Sequence, residues 1–258
     1  MIIHVFQTEA QVARAAAAFM TAQLLHKKNS VLGLATGSTP ILTYRELIRL
    51  HREKVLDLSQ AVSFNLDEYI GLPEHHRESY HAFMKRHLFD HVNLREHHLP
   101  NGLAADLDKE CRRYDDLIAS AGGIDMQLLG IGNNGHIGFN EPDECFTYGT
   151  HVVSLTPSTL EANRPNFDPG EGMPVQAVTQ GIGAIMLAGS ILFLAVGESK
   201  AEAVRAMAED EITPHMPASI LRLHREVTVL LDQAAASRLK NRDVEKTGDA
   251  FFENPHLA

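Results

Sequence analysis

The 258-residue chain is long enough for one large domain or two small ones, and its 44% hydrophobic and 22% charged residues suit an ordinary globular protein. A net charge of -10 and a pI near 5.8 exclude a general nucleic-acid binder, and two cysteines without paired spacing, Cys111 and Cys145, give neither a disulfide framework nor a zinc motif. No apolar window approaches a membrane span, and MIIHVFQTEA lacks the basic and apolar regions of a signal peptide, so no membrane partner is expected and a reducing cytoplasm is the expected compartment.

A βα rhythm runs along the chain. IIHVF (2–6) reads as a strand. Thr8 with Gln11 forms a capping-box pattern, and Val12, Ala15, Ala16, Phe19 and Leu24 follow at helical spacing. VLGLA (31–35) and AVSFN (61–65) are short apolar strands, and 79–89 and 108–118 read as helices. IDMQLLG (124–130), HVVSL (151–155), ILFLAVG (191–197) and VTVLLD (227–232) bring the strands to seven, with a helix at 200–207. Short, nearly continuous apolar strands separated by helices imply a parallel sheet covered on both faces. Ligands in such folds sit beyond the C-terminal strand ends. Residues 156–180, rich in Pro, Gly and Asn, read as a mobile lid or a long surface loop, and the polar tail after Leu239 is expected to fray.

Four strand ends carry polar groups. In LATGSTPIL (34–42), Thr36, Gly37, Ser38 and Thr39 precede Pro40, which fits a Thr39 N-cap with Pro at the first helical position. Free N–H groups and hydroxyls there would suit an anion such as phosphate; a plain capped turn is the alternative. In FNLDEYIGL (64–72), Asp67 and Glu68 follow an apolar strand directly. One carboxylate there is placed for proton abstraction beside a carbonyl or imine, unless it is a cap or a solvated turn acid. In AVGESKAEAV (195–204), Lys200 falls in the first turn of a helix. The helix dipole disfavours a cation at that end unless an anion binds there; otherwise Lys200 is an exposed surface lysine. An acidic chain that handles an anion must gather its positive charge locally in this way.

The remaining segment, GIGNNGHIGFNEP (130–142), spells G-x-G-x-x-G through Gly130, Gly132 and Gly135. A dinucleotide fingerprint opens straight into a helix and has an acid at the next strand end. Gly138 and Pro142 break any helix here, and HVVSL ends in Thr156-Pro157-Ser158 without an acid. What is left is an irregular loop holding Asn134, His136, Asn140 and Glu141. A His with a nearby carboxylate is a general-base pair, the alternative being a lone loop histidine. The HH pairs at 75–76 and 97–98, and His87 with His91, lack the Cys or carboxylate company of a metal site, so no metal is expected.

Taken in order, LATGSTP (34–40), FNLDEYIGLP (64–73), ESYHAFM (78–84), LLGIGNNGHIGFNEP (128–142), THVVSL (150–155), GESKAEAV (197–204) and PASILRLH (217–224) resemble the glucosamine-6-phosphate deaminase family over nearly the whole chain. Sugar-phosphate lactonases of the same superfamily share the glycine-His loop, but the NLDEY run is not expected in them. The resemblance implies one modified Rossmann-like α/β domain over 1–258, a three-layer sandwich around a mainly parallel sheet of about seven strands. It implies hydrolytic conversion of glucosamine 6-phosphate to fructose 6-phosphate and ammonia, with no organic cofactor and a small-molecule amino-sugar phosphate as partner. Asp67 would move the proton between C2 and C1, and His136 would be the ring-opening base, supported by Asn134 and Glu141. Thr36, Gly37, Ser38, Thr39 and Lys200 would hold the phosphate.

Three departures bear on that expectation. Asn134 stands where one branch of the family has Asp; a neutral Asn can orient His136 but adds no charge. The segment that reads A-N-x-R-F/Y-F in the family is here Ala162-Asn163-Arg164-Pro165-Asn166-Phe167, so Arg164, the counterpart of the phosphate arginine, sits one place early. The allosteric branch carries basic residues where this chain has His151 and Val153, so no activation by N-acetylglucosamine 6-phosphate is expected. Preference for the galactosamine epimer, a homo-oligomer and a non-catalytic sugar-phosphate sensor are left open at this level.

Overall fold

The computed structural model describes residues 1–170 and 172–240 and the backbone of 245 and 246; the tail beyond Lys240, where fraying is expected, otherwise lies outside the described residues. The strands are β1 (Ile2–Phe6), β2 (Val31–Leu34), β3 (Val62–Asn65), β4 (Asp67–Tyr69), β5 (Glu96–His98), β6 (Met126–Leu129), β7 (His151–Ser154), β8 (Gln176–Thr179), β9 (Ser190–Ala195), β10 (Val227–Asp232) and β11 (Glu245–Lys246). The helices are α1 (Glu9–His26), α2 (Ile41–Arg52), α3 (Tyr80–His87), α4 (Leu107–Ser120), α5 (Pro157–Asn163), α6 (Ile182–Met186) and α7 (Ala201–Glu209). Among the described residues the main sheet is parallel throughout, in the order β11-β1-β10-β9-β6-β2-β3-β5, seven strands apart from the two-residue β11.

Alternation along the strands builds the two outer layers. Leu32, Leu34, Leu192 and Leu194 point to one face, where they meet Val12, Met20 and Leu24 of α1, Tyr44 and Leu47 of α2 and Met84 of α3. Val31, Ile191 and Phe193 point to the other and meet Tyr114 and Ile118 of α4, Ile185 of α6 and Val204 and Met207 of α7. Strands buried on both faces are why the sequence shows apolar runs rather than alternation. At the start of α1, Thr8 caps the Gln11 N–H at 3.3 Å, while the Gln11 side chain accepts from the Gln7 N–H at 2.9 Å, one residue before the capping-box donor.

Two expectations need correction. HVVSL, expected as a fifth strand of the main sheet, forms β7 of a separate three-stranded antiparallel sheet, ordered β4-β8-β7. A short apolar run does not say which sheet it joins, and on this edge strand His151, Val152 and Val153 are only half-buried, whereas β4 and most of β8 are buried. The main-sheet place goes to β5, an EHH edge strand too polar to read as one. The stretch 156–180 is not structureless: it carries α5, a 3-10 turn at Arg164–Asn166 and β8. No helix among the described residues is long and apolar enough to cross a membrane.

The small sheet matters because β4 carries Asp67. Its far end is held by backbone contact: Gly71 N–H donates to Gly102 O at 3.1 Å, and a Cβ at Gly102 would lie 2.0 Å from Tyr69 O. Replacing Gly102 by Ala must therefore displace β4. The expected cost is about 1–3 kcal/mol, seen as a fall in Tm of about 2–4 °C per kcal/mol. Gly172→Ala, where a Cβ would meet nothing within 4 Å, is the control expected to leave Tm in place.

Candidate active site

The chain winds outward from β2 through β3 to β5, then returns to lay β6 on the other side of β2. Loops leaving the C-terminal ends of β2 and β6 therefore diverge and open a crevice. A cavity of about 420 Å³ lies there, lined by Thr36, Gly37, Ser38 and Thr39 after β2, Asp67 after β3, Asn134 and His136 after β6, and Lys200 after β9. A second cavity of about 460 Å³ is lined by Glu141 together with Cys145, Thr147 and His151. Glu141 does not line the first cavity and reaches it only through its contacts with His136 and Asn134.

The loop after β2 turns at Gly37, whose φ of 94° favours glycine. The expected Thr39 N-cap is displaced by one residue. Pro40 is the cap, already at helical angles (φ -78°, ψ -8°), and no side chain bonds the first-turn N–H groups of α2. Ile41 N–H donates to Ser38 O at 3.3 Å, which leaves the Leu42 and Thr43 donors for an anion. The Tyr44 hydroxyl donates to Ala35 O at 2.5 Å and ties the helix to the strand end. Lys200 reaches the cavity from the turn preceding α7, its Nζ donating to Asn133 Oδ1 at 2.8 Å, and burial lowers its pKa below the ordinary lysine value. Arg164 is not brought to this wall. α5 ends at Asn163, Ala162 and Asn163 line the cavity, and Arg164 lies exposed in the Pro165 turn beyond.

Adjacent carboxylates on β4 have opposite fates. Glu68, 2% exposed, accepts the N–H groups of Tyr69 (2.8 Å), Tyr80 (2.9 Å) and His81 (3.0 Å), and His81 Nδ1 lies 3.0 Å away. It pins the start of α3 to β4. Asp67, 5% exposed, faces the cavity, and its pKa is pushed up to about 8, first by burial and then by the Glu68 charge. No hydrogen bond opposes that rise. A carboxylate so tuned suits proton transfer near neutral pH.

The loop after β6 brings a second set of titratable groups to the site. His136 Nδ1 lies 3.2 Å from Glu141 Oε2, an ion-pair distance, though not aligned as a full hydrogen bond. Such bonds commonly tighten only when substrate binds. Asn134 joins the pair: its Oδ1 accepts from the His136 N–H at 3.3 Å and its Nδ2 donates to Glu141 Oε2 at 2.7 Å. Burial raises the Glu141 pKa, but contacts with His136, Thr159 and Asn134 outweigh it and bring it to about 2. Gly132 makes the packing possible, since a Cβ there would lie 2.2 Å from the imidazole. Gly132 thus serves a close approach of backbone to histidine.

Several lining residues carried no sequence signal of their own: Tyr80, Asn133, Ser158, Thr159 and Ser199. Tyr80 follows the Ser79 cap of α3, and its ring stacks on Phe139 with centroids 6.0 Å apart. Thr159 donates to Glu141 Oε1 at 2.5 Å. The hydroxyl-rich TPST run was the available clue to it.

Residues 6–230 match the family model of glucosamine-6-phosphate isomerases/6-phosphogluconolactonase. A glucosamine-6-phosphate deaminase of Clostridioides difficile (strain 630) is 51% identical over 234 residues, 90% of this chain and 94% of that protein. The solved structure of a monomeric glucosamine-6-phosphate deaminase superposes with a TM-score of 0.88 at 46% identity, covering 92% of this chain and 99% of that one. The 6-phosphogluconolactonase of Thermotoga maritima, at 21% identity and a TM-score of 0.71 over 90% of this chain and 99% of its own, shares the fold alone. The chain belongs to the family of glucosamine-6-phosphate isomerases and 6-phosphogluconolactonases.

Proposed function

We propose that this chain is a glucosamine-6-phosphate deaminase, with His136 as ring-opening base and Asp67 as the group that carries the proton from C2 to C1. The observation that supports this most is the presence of two differently tuned acid/base stations on one cavity wall that also holds an anion loop and a lysine.

Each part has a chemical task. The phosphate takes the Thr36–Thr39 loop and Lys200, a remote handle whose binding energy orients the reacting carbons. His136 takes the proton of the C1 hydroxyl, the bond from C1 to the ring oxygen breaks, and the imidazolium returns that proton to the ring oxygen, which becomes the C5 hydroxyl. The C2 proton is acidic only in the resulting open-chain aldehyde. Asp67 removes it, giving an aminoenol, and returns a proton to C1, giving the imine of the 2-ketose. Water adds to C2 and ammonia leaves, so fructose 6-phosphate and ammonia balance substrate and water. Glu141 holds a charge near 3 Å from Nδ1 and stabilises the imidazolium formed on the way.

The test is ammonia release from glucosamine 6-phosphate. Asp67→Asn is expected to lower kcat by about 10²–10⁴-fold, and unchanged turnover in that variant would remove Asp67 from the chemistry. Lys200→Ala is expected to raise KM by about 10- to 100-fold through loss of a charge-assisted phosphate contact; an unchanged KM would place the phosphate elsewhere.

The same aspartate yields a stability prediction. Its folded pKa of about 8 lies above the ordinary 3.8, so between those values the folded state binds a proton that the unfolded state has lost. The stability contributed by neutral Asp67 is complete below about 3.8 and is lost as pH rises to about 8. Asp67→Asn should therefore raise Tm relative to wild type more at pH above 8 than near pH 4. Equal differences at both pH values would contradict the burial argument.

A further inference from the structure

Helix α5 buries a threonine and little else. Pro157, Ser158, Glu161 and Ala162 are exposed, while Thr159 is 4% exposed. A hydroxyl that far from solvent needs a partner, and the carboxylate it donates to is part of the His136 station. Thr159 Oγ1 donates to Glu141 Oε1 at 2.5 Å and lies 3.2 Å from the Thr156 hydroxyl, which is positioned to donate to it. The opposite carboxylate oxygen, Oε2, receives Asn134 Nδ2 and faces His136 Nδ1. Ser158 Oγ adds a 3.5 Å contact to Asn134 Nδ2. Two elements far apart in sequence thus meet on one carboxylate.

We propose that Thr159 is a positioning residue of the ring-opening station: its hydroxyl fixes one oxygen of Glu141 so that the other stays on His136. The proposal rests on the ring-opening role assigned to His136 above. The geometry supports it in two ways. A carboxylate on a flexible side chain rotates, and Asn134 and His136 both bind the same oxygen, so neither prevents rotation about that contact. Thr159 binds the other oxygen and fixes the plane. In addition, the Glu141–His136 contact is the one member of this cluster without full alignment, so small displacements of Glu141 act on it directly. A consequence follows for substrate binding: Ser158, Thr159, Ala162 and Asn163 line the cavity, so a sugar seated there presses on the same helix that orders Glu141.

The experiment compares Thr159→Val, which keeps the shape and loses the hydroxyl, with Thr159→Ser, which keeps the hydroxyl. Glu141→Gln is the reference for the station itself. The readouts are kcat and KM for ammonia release from glucosamine 6-phosphate, and the affinity for its C1-reduced, open-chain amino-alditol phosphate, which needs no ring opening. Thr159→Val should lower kcat by about 10-fold or more with KM within about threefold, while Thr159→Ser stays within about threefold of wild type in both. Alditol affinity should be unchanged in both variants. Full kcat in Thr159→Val beside an impaired Glu141→Gln overturns this inference and leaves the station standing. Full kcat in Glu141→Gln removes the station reading itself. Loss of alditol affinity in Thr159→Val, or equal impairment in the Ser variant, shows that Thr159 only anchors the helix and also overturns the proposal.

Discussion

Everything in this site depends on how two neighbouring carboxylates on a three-residue strand are treated. Asp67 and Glu68 are both buried on β4, yet only one is given donors. Glu68 receives three backbone N–H groups and an imidazole, so its position is fixed. Asp67 receives none of these and has a negative neighbour, so its proton is held to about pH 8. Burial of an uncompensated acid costs stability, and functional sites are where such costs are kept. In the proposed chemistry the same carboxylate must first accept a proton and then give it up, which a pKa near the working pH favours.

The second station reaches an opposite setting by opposite means. Glu141 is surrounded by a hydroxyl, an amide and an imidazole, and it stays ionised down to about pH 2. In the proposed chemistry it remains charged beside His136 and moves no proton itself. Asn134 suits this arrangement, because its amide donates to Glu141 while its oxygen accepts from the His136 backbone. An ionised Asp at the same place would bring a second negative charge within hydrogen-bond distance of Glu141 and could not donate. The absence of charge on Asn134 is therefore matched to its neighbour. The topology explains how the parts come to share one cavity: the order of the sheet reverses between β2 and β6, and the Thr36–Thr39 loop after β2, Asp67 after β3 and His136 after β6 all lie at the C-terminal strand ends around that point.

Much of this was legible in the sequence because central parallel strands are continuous apolar runs, and their C-terminal ends mark the positions where polar residues gather. Asp67, His136 and Lys200 each follow such a run, and all three line one cavity. The small sheet was not legible. β4 is three residues including two acids, and β8 begins on an exposed Gln, so neither has a strand's apolar pattern. β7 has that pattern but joins the other sheet. Arg164 could not be placed from the sequence, because where a side chain near Pro165 points depends on where α5 ends. Thr159 was missed for a different reason: a threonine in a polar run is informative only once its buried partner is known.

The most direct measurement is a structure with the C1-reduced, open-chain amino-alditol 6-phosphate bound. The account predicts the phosphate against Thr36–Thr39 and Lys200, C2 within about 3.5 Å of the Asp67 carboxylate, and the C5 hydroxyl turned towards His136. A phosphate seated away from the Thr36–Thr39 loop, or Asp67 and His136 both directed at the same carbon, would contradict it.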